Sequence, residues 1–451
     1  MAGRDFRNIS LYGQNLAATD ASTIQAGRDL VFATVQDVNG NVASLDQRIQ
    51  WGGPGQLAIL AGRTISLGSS SGVSSVGNLA NRALPGGAGA TLDLWAGLTT
   101  PPDYRGFFSR YLPDYQELVD AATGSTGTGT DAAIPLARVL ALPDSVQRQL
   151  ATHILFQEIR RAASQAAAAP EAERKALYQP GFTALETLFP DKGTGDLSLV
   201  FSQIKSLDGG GINLLVPGGQ VNVGLAGQVG GVQKSASQLG IVVQGTGDFN
   251  AYTEGDFNVN QSRVFTLGGG DIAIWSSTGS IDAGKGAKSA LSAPPPITTL
   301  DEKGNIVTLF PPLVSGSGIQ AITPSRAGAQ PGSVYLAAPA GVVNAGEAGI
   351  SGGKVVIAAS TVIGAANIQA SGGTVGVPTA ISPPVIPTGV SGAAAGAAKA
   401  ANASGGSGEN DPARDQEAQE RARKATGSLL SSEVVGYGNC SVANVRSGQC
   451  S

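Results

Sequence analysis

Along most of the chain, apolar residues come in short runs closed off by glycine, as in "GQLAIL", "RTISL", "INLLV" and "KVVIAA". Runs of this length, with turn signals on both sides, predict short strands. These windows lack the alanine- and leucine-rich 3.6-residue period that a helical solenoid needs. The runs also recur at nearly fixed spacing. "SVYLAA" (333–338) aligns with "KVVIAA" (354–359) at an offset of 21, and "SGGKVVI" (351–357) aligns with "SGGTVGV" (371–377) at an offset of 20. "AGRDF" (2–6) recurs as "AGRDL" (26–30), and "GDFN" occurs at 247–250 and again at 255–258. "GGGDIAIWSSTGSIDAG" (268–284) alternates glycine turns with short strands. A period near 20 residues lies at the lower end of solenoid repeats. The expected fold is mainly β, a right-handed parallel β-helix whose coils stack at ~4.8 Å around a column of Val, Ile, Leu and Ala. Roughly 280 residues at ~20 per coil would give ~14 coils and a rod ~65 Å long.

Two stretches break the strand pattern. Between Pro101 and Pro190 the residues become helix formers, as in "DSVQRQLATHILFQEIRRAASQ" (144–165) and "PEAERKALYQP" (170–180). Val146, Leu150 and Ile154 fall at i, i+4 and i+8, and Asp144 after Pro143 suits an N-cap. Aromatics in "DYRGFFSRYLPDYQEL" (103–118) supply bulk for a small core. The segment 101–192 is therefore expected as an α-helical insertion between coils at 1–100 and at 193–380. Beyond the proline-rich "VPTAISPPVIPTGV" (377–390) the coils should stop, because proline cannot donate to a strand ladder. A flexible linker (381–410) follows, then one solvated helix (411–427) with Asp411 as N-cap, Pro412 in the first turn and Gly427 at the stop. Glu417–Arg421 and Glu420–Lys424 pair at i, i+4 along it, and it has no apolar face. The segment 428–451 closes the chain.

Composition narrows the class. Glycine, at 65 of 451 residues, is about double its ordinary ~7% share, and charged residues, at 14%, fall well below the usual ~25%. With 41% of residues hydrophobic, the glycine excess does not signal disorder. The net charge of -4 without a basic block excludes a nucleic-acid footprint. No apolar run approaches the ~18 residues of a membrane span. The start, "MAGRDFRNISLYGQNL", lacks the apolar core of a signal peptide and sits mid-pattern. The sequence is thus expected to be the C-terminal fragment of a longer chain.

Chemistry is sparse. The only two cysteines, Cys440 and Cys450, lie in "GYGNCSVANVRSGQCS" (436–451) and can form one disulfide. Closing so short a loop is worth roughly 3 kcal/mol at most, little for a rod of this size. A zinc site needs four ligands, and C-x-x-C spacing is absent. Two readings stay open: a staple against fraying, or an end-knot too bulky to thread through a pore. His153 is the only histidine and belongs to the helical stripe. No G-x-S-x-G elbow and no phosphate-binding loop occurs. Asp248, Asp256 and Asp271 follow glycine without calcium-repeat spacing and are expected to cap turns. No cofactor, metal site or catalytic residue is expected. "AAAG" (Ala393, Ala394, Ala395, Gly396) is either plain linker or a small-residue stretch open to a protease.

The "AGRD" coils, the helical interruption and the terminal cysteine pair together resemble the C-terminal part of filamentous-haemagglutinin-like exoproteins of two-partner secretion, including biofilm-matrix adhesins. That resemblance implies a non-enzymatic surface adhesin exported through an outer-membrane barrel partner. It makes Cys440 and Cys450 a bridged hook on the periplasmic side. It also makes Ala393–Gly396 a site for a periplasmic cysteine protease, cut between Ala395 and Gly396. The implied location is the cell surface of a Gram-negative bacterium, and the implied ligand is an extracellular polysaccharide or host surface. The alternative class is a secreted β-helix lyase or hydrolase, although no paired acids stand out. An autotransporter passenger and a delivered toxin are both disfavoured by the character of the chain end.

Overall fold

Short apolar strands separated by glycine turns stack in three parallel columns, as seen in the computed structural model. It describes residues 1–39, 41–79, 84, 89–123, 136–224, 234, 238–285, 291–292, 297–300, 306–309, 314–322 and 330–378. The chain divides into the units Met1–Ala380 and Ile381–Ser451. The second unit, with Cys440, Cys450, Ala393–Gly396 and the helix expected at 411–427, lies outside the described residues.

The first face of the β-helix runs through Ala21–Ala26, Gln56–Ala61, Thr91–Trp95, Ile212–Val216, Phe249–Thr253 and Ile272–Ser276, each parallel to the next. It continues into Val334–Asn344, Val355–Ile363 and Thr374–Val375. The second face holds two-residue strands such as Ile65–Ser66, Leu197–Ser198 and Val221–Asn222. Val334–Asn344 and Val355–Ile363 bend round the corner between these faces, with a register shift between Ala338 and Val342. They join both faces into one 16-stranded sheet. The third face is a separate nine-stranded sheet running from Leu11–Gln14 to Ile368–Ala370.

Alternation explains why the strands stack. Inward residues of the first face (Leu57, Leu92, Ile212, Phe249, Ile272, Val334) line up one above another. They meet Ile65, Leu197, Val221 and Phe257 of the second face and Ile204, Ile241 and Val264 of the third in one core of fully buried side chains. Each column pairs every interior amide with the coil above or below, so no ladder group is stranded without water.

The β-helix is shorter than its sequence suggests. Nine third-face strands span ~38 Å at 4.8 Å per step, rather than ~14 coils and ~65 Å. Only the last coils keep the short period: Val334 pairs with Val355, 21 residues on. The next step is Val355 to Thr374, or 19 residues, one fewer than the "SGG" alignment implies. Elsewhere residues are spent on excursions. Ile272 pairs with Val334 across two antiparallel pairs, Leu291–Ser292 with Val314–Ser315 and Ile297–Leu300 with Ile306–Leu309. The two "GDFN" motifs are also not successive coils. Phe249 and Phe257 sit on adjacent faces of one coil, their rings 6.2 Å apart in the core.

The largest excursion is helical. It comprises α1 (Tyr104–Tyr111), α2 (Gln116–Thr123), α3 (Leu136–Leu140), α4 (Asp144–Ala168) and α5 (Glu171–Leu188). Its ends meet: the Asp103 amide donates to the Leu188 carbonyl at 2.9 Å, and the chain re-enters at Leu197–Ser198, paired with Ile65–Ser66. The expected N-cap at Asp144 is instead the first helical residue. Pro143 takes the cap position without a side-chain bond, and Asp144 accepts from Arg148 at 2.8 Å. Helices α4 and α5 lie against the outward side of the first face. Trp95, Leu215, Tyr252, Trp275, Ala337 and Ala358 pack there with Ile154, Leu155, Ile159, Tyr178 and Leu185 in a second core. The first-face strands are therefore apolar on both sides.

Candidate functional site

Where α4 crosses the first face, one column of outward side chains turns polar. Asp93, Asn213 and Asn250 occupy the same strand position on three successive rungs. Each lies two residues before the aromatic or aliphatic side chain that meets the helices (Trp95, Leu215, Tyr252). The same position one rung further on is Ala273, and then Tyr335.

These residues form a relay. Gln56 Nε2 donates to Asp93 Oδ2, and Asn213 Nδ2 donates to Asp93 Oδ1 at 2.7 Å. Asn250 Nδ2 donates to Asn213 Oδ1 at 2.9 Å. From α4, Arg160 Nη2 donates to Asn250 Oδ1 at 2.6 Å. The same guanidinium bridges Asp271 at 3.3 Å and Asp248 at 3.5 Å and lies over the Tyr335 ring, 5.6 Å from its centroid. Its Nε is buried without an acceptor. Each ladder amide spends one N–H and one oxygen lone pair on its neighbours, which leaves the second N–H over.

Beside the relay is a cleft of about 300 Å³ between α4 and the sheet, at the small end of ligand sites. Gln149, Thr152, His153, Phe156 and Gln157 form the helix wall, and Asp93, Asn213 and Asn250 form the floor. Gln149, His153 and Gln157 are exposed, whereas Asp93 is 1% exposed. Burial pushes the Asp93 carboxyl above its ordinary value, against the pull of Asn213, Gln56 and the charge of Arg148. Desolvation, then the positive charge of Arg160, holds the His153 imidazole below its usual value despite Asp248. It is therefore neutral at pH 7. Among the described residues no group of three or more His, Cys, Asp or Glu is placed to hold a metal ion.

The structure also places the aspartates singled out in the sequence. The Asp248 carboxylate accepts from the Asp271 amide at 2.8 Å, and Asp271 from the Ser333 amide at 2.8 Å. Asp256 accepts from the Ser280 amide at 2.8 Å. They cap turns, as expected, but each caps the turn of the next coil. His153 lies on α4, as the apolar stripe implies, and faces the cleft. The cleft itself was not foreseen, since its floor joins residues up to 120 positions apart. The available signal was one Asp or Asn after the first apolar residue in "TLDLW", "INLLV" and "FNAYT".

No helix among the described residues is long and apolar enough to cross a membrane. No curated protein and no solved structure matches the chain. Residues 269–379 match the family model for "filamentous haemagglutinin family outer membrane protein". That span runs from Ile272–Ser276 to Thr374–Val375, the part of the β-helix where the short period is clearest. The coils at 269–379 are thus similar to filamentous haemagglutinin family outer membrane proteins, the family to which the sequence resemblance pointed.

Proposed function

We propose that this chain is a region of a secreted adhesin that attaches cells to biofilm matrix or to a host surface and is held at the outer membrane by its tail. The match of residues 269–379 to a filamentous haemagglutinin family outer membrane protein is the observation that carries this reading. A stack of hydrogen-bonded coils suits attachment, because it is a stiff scaffold that presents side chains at regular intervals.

In this proposal the chain passes through an outer-membrane barrel transporter. A Cys440–Cys450 bridge forms a knot too bulky for the pore and keeps the tail periplasmic. The linker (381–410) and the solvated helix (411–427) set the knot apart from the coils. Cleavage between Ala395 and Gly396 by a periplasmic cysteine protease would release the adhesin, because Ala393–Gly396 lies between coils and knot.

Fractionation of cells into surface and medium tests this. Replacing both Cys440 and Cys450 by serine should shift the protein from the surface to the medium. Ala395→Asp should keep it on the surface under conditions that otherwise release it. A double cysteine variant that stays cell-bound would refute the hook.

A further inference from the structure

We propose that the cleft between α4 and the first face binds a neutral saccharide, with the ladder Asp93–Asn213–Asn250 as its floor and Gln149 and Gln157 as its helix wall. It rests on the adhesin reading only for why the protein would meet a glycan; the site itself follows from three observations.

The first is donor and acceptor balance. A sugar hydroxyl both gives and takes a hydrogen bond, and side-chain amides do the same, each with two N–H donors and an acceptor oxygen. The cleft presents four such amides: Gln149, Gln157, Asn213 and Asn250. Asn213 and Asn250 are pre-oriented by the relay, through bonds of 2.7 and 2.9 Å. Little ordering is then needed on binding.

The second is charge. Arg160 is the cleft's one cation at neutral pH, and it is already shared between Asp248 and Asp271. Asp93 adds a further acidic group with both oxygens engaged. An acidic sugar or a phosphate would meet more carboxyl groups than free cations, so a neutral ligand is favoured over an anionic one. Divalent cations are disfavoured because the carboxylate oxygens of Asp93 are taken by N–H donors.

The third is spacing. Asn213 and Asn250 repeat at the rung distance, ~4.8 Å, about the advance of one pyranose ring along a chain. Phe156, on the wall between Thr152 and Gln157, offers an apolar ring for the C–H face of a sugar. A cleft of about 300 Å³ has room for one or two such rings rather than a long peptide.

The test is titration calorimetry on the full chain with cellotetraose, maltotetraose and chitotetraose, an oligogalacturonate tetramer, and an uncharged Gly/Ser octapeptide. At least one neutral tetrasaccharide should bind saturably, and Gln157→Ala and Asn250→Ala should each weaken it about tenfold or more. Gln157 is exposed on α4, outside the relay, so its variant reports on binding even if Asn250→Ala fails to fold. No binding of any neutral tetrasaccharide, tighter binding of the galacturonate or of the peptide, or affinity unchanged in Gln157→Ala would each overturn the proposal. Surface fractionation of the same Gln157→Ala variant separates the two readings. An adhesin with a saccharide cleft should reach the surface normally and lose only glycan binding. A protein that binds sugar in vitro but never reaches the surface would instead sink the adhesin reading and leave the cleft standing.

Discussion

At the scale of single residues, the coils are joined by side chains that reach one rung up or down. Arg28 clasps Asp5 of the preceding coil through Nε (3.0 Å) and Nη2 (2.7 Å), and Arg63 clasps Asp29 in the same way. The "AGRD" repeat is therefore an inter-coil fork, with each Arg serving the Asp of the repeat before it. The Arg28 fork holds the Asp5 carboxyl down to about 2. Because this pKa is lowered from an unfolded value near 3.9, its contribution is present above about pH 4 and is lost as pH falls toward 2. Urea midpoints of Asp5→Asn should therefore change less than those of the unaltered protein over that window; parallel curves would refute the fork. Lys234 has the opposite slope. It is 8% exposed, donates to the Phe201 carbonyl at 2.8 Å, and burial pushes it down to about 8. The folded state gives up this proton before the unfolded chain does, so stability gains between about pH 8 and 10.4. Lys234→Met should lack that gain in melts taken across this range. The repeats were visible in the sequence, but which Arg meets which Asp was not, because pairing across rungs depends on the fold.

At the scale of elements, the first face and α4 depend on each other. A 25-residue helix is ~37 Å long at 1.5 Å per residue, close to the height of the stacked coils. It covers the apolar outward column from Trp95 to Ala358. Truncating Leu155 to alanine at this contact should cost about 2–5 kcal/mol by denaturant unfolding. Where α5 meets the sheet, a Cβ on Gly181 would lie 2.7 Å from Trp275 Cη2, between Tyr178 and Phe182, which both stack edge-on against that indole. Gly181→Ala should therefore destabilise by about 1–3 kcal/mol and shift the tryptophan emission; an unchanged spectrum and midpoint would show that α5 can move away. Close approach also governs the re-entry of the chain. A Cβ on Gly218 would lie 1.3 Å from the Gly193 carbonyl oxygen, a separation that only glycine allows. The helices themselves were legible from the spacing of Val146, Leu150 and Ile154. Their docking partner was not, since "TLDLW" and "IAIWS" look like ordinary buried strands whether their second face meets solvent or a helix.

At the scale of the whole chain, what the sequence determined by itself is the stacking grammar. Short β-branched runs with glycine turns can bury their inward side only against another copy of the same pattern, so a parallel β-helix follows from local chemistry. The helical insertion is likewise local, because helix formers at a 3.6-residue period suffice to specify it. The adhesin-like family emerged from the same repeats and agrees with the match at 269–379. The number of coils required tertiary structure. Excursions between faces use residues without adding rungs, and nothing within a loop says which rung its far end will join. The candidate site belongs to the same category. Asp93, Arg160, Asn213 and Asn250 become neighbours only when coils separated by an 85-residue helical excursion, α1 to α5, stack in register and α4 folds back over them. A single strand can show one polar residue in an apolar run; only the stack turns three of them into the floor of a cleft.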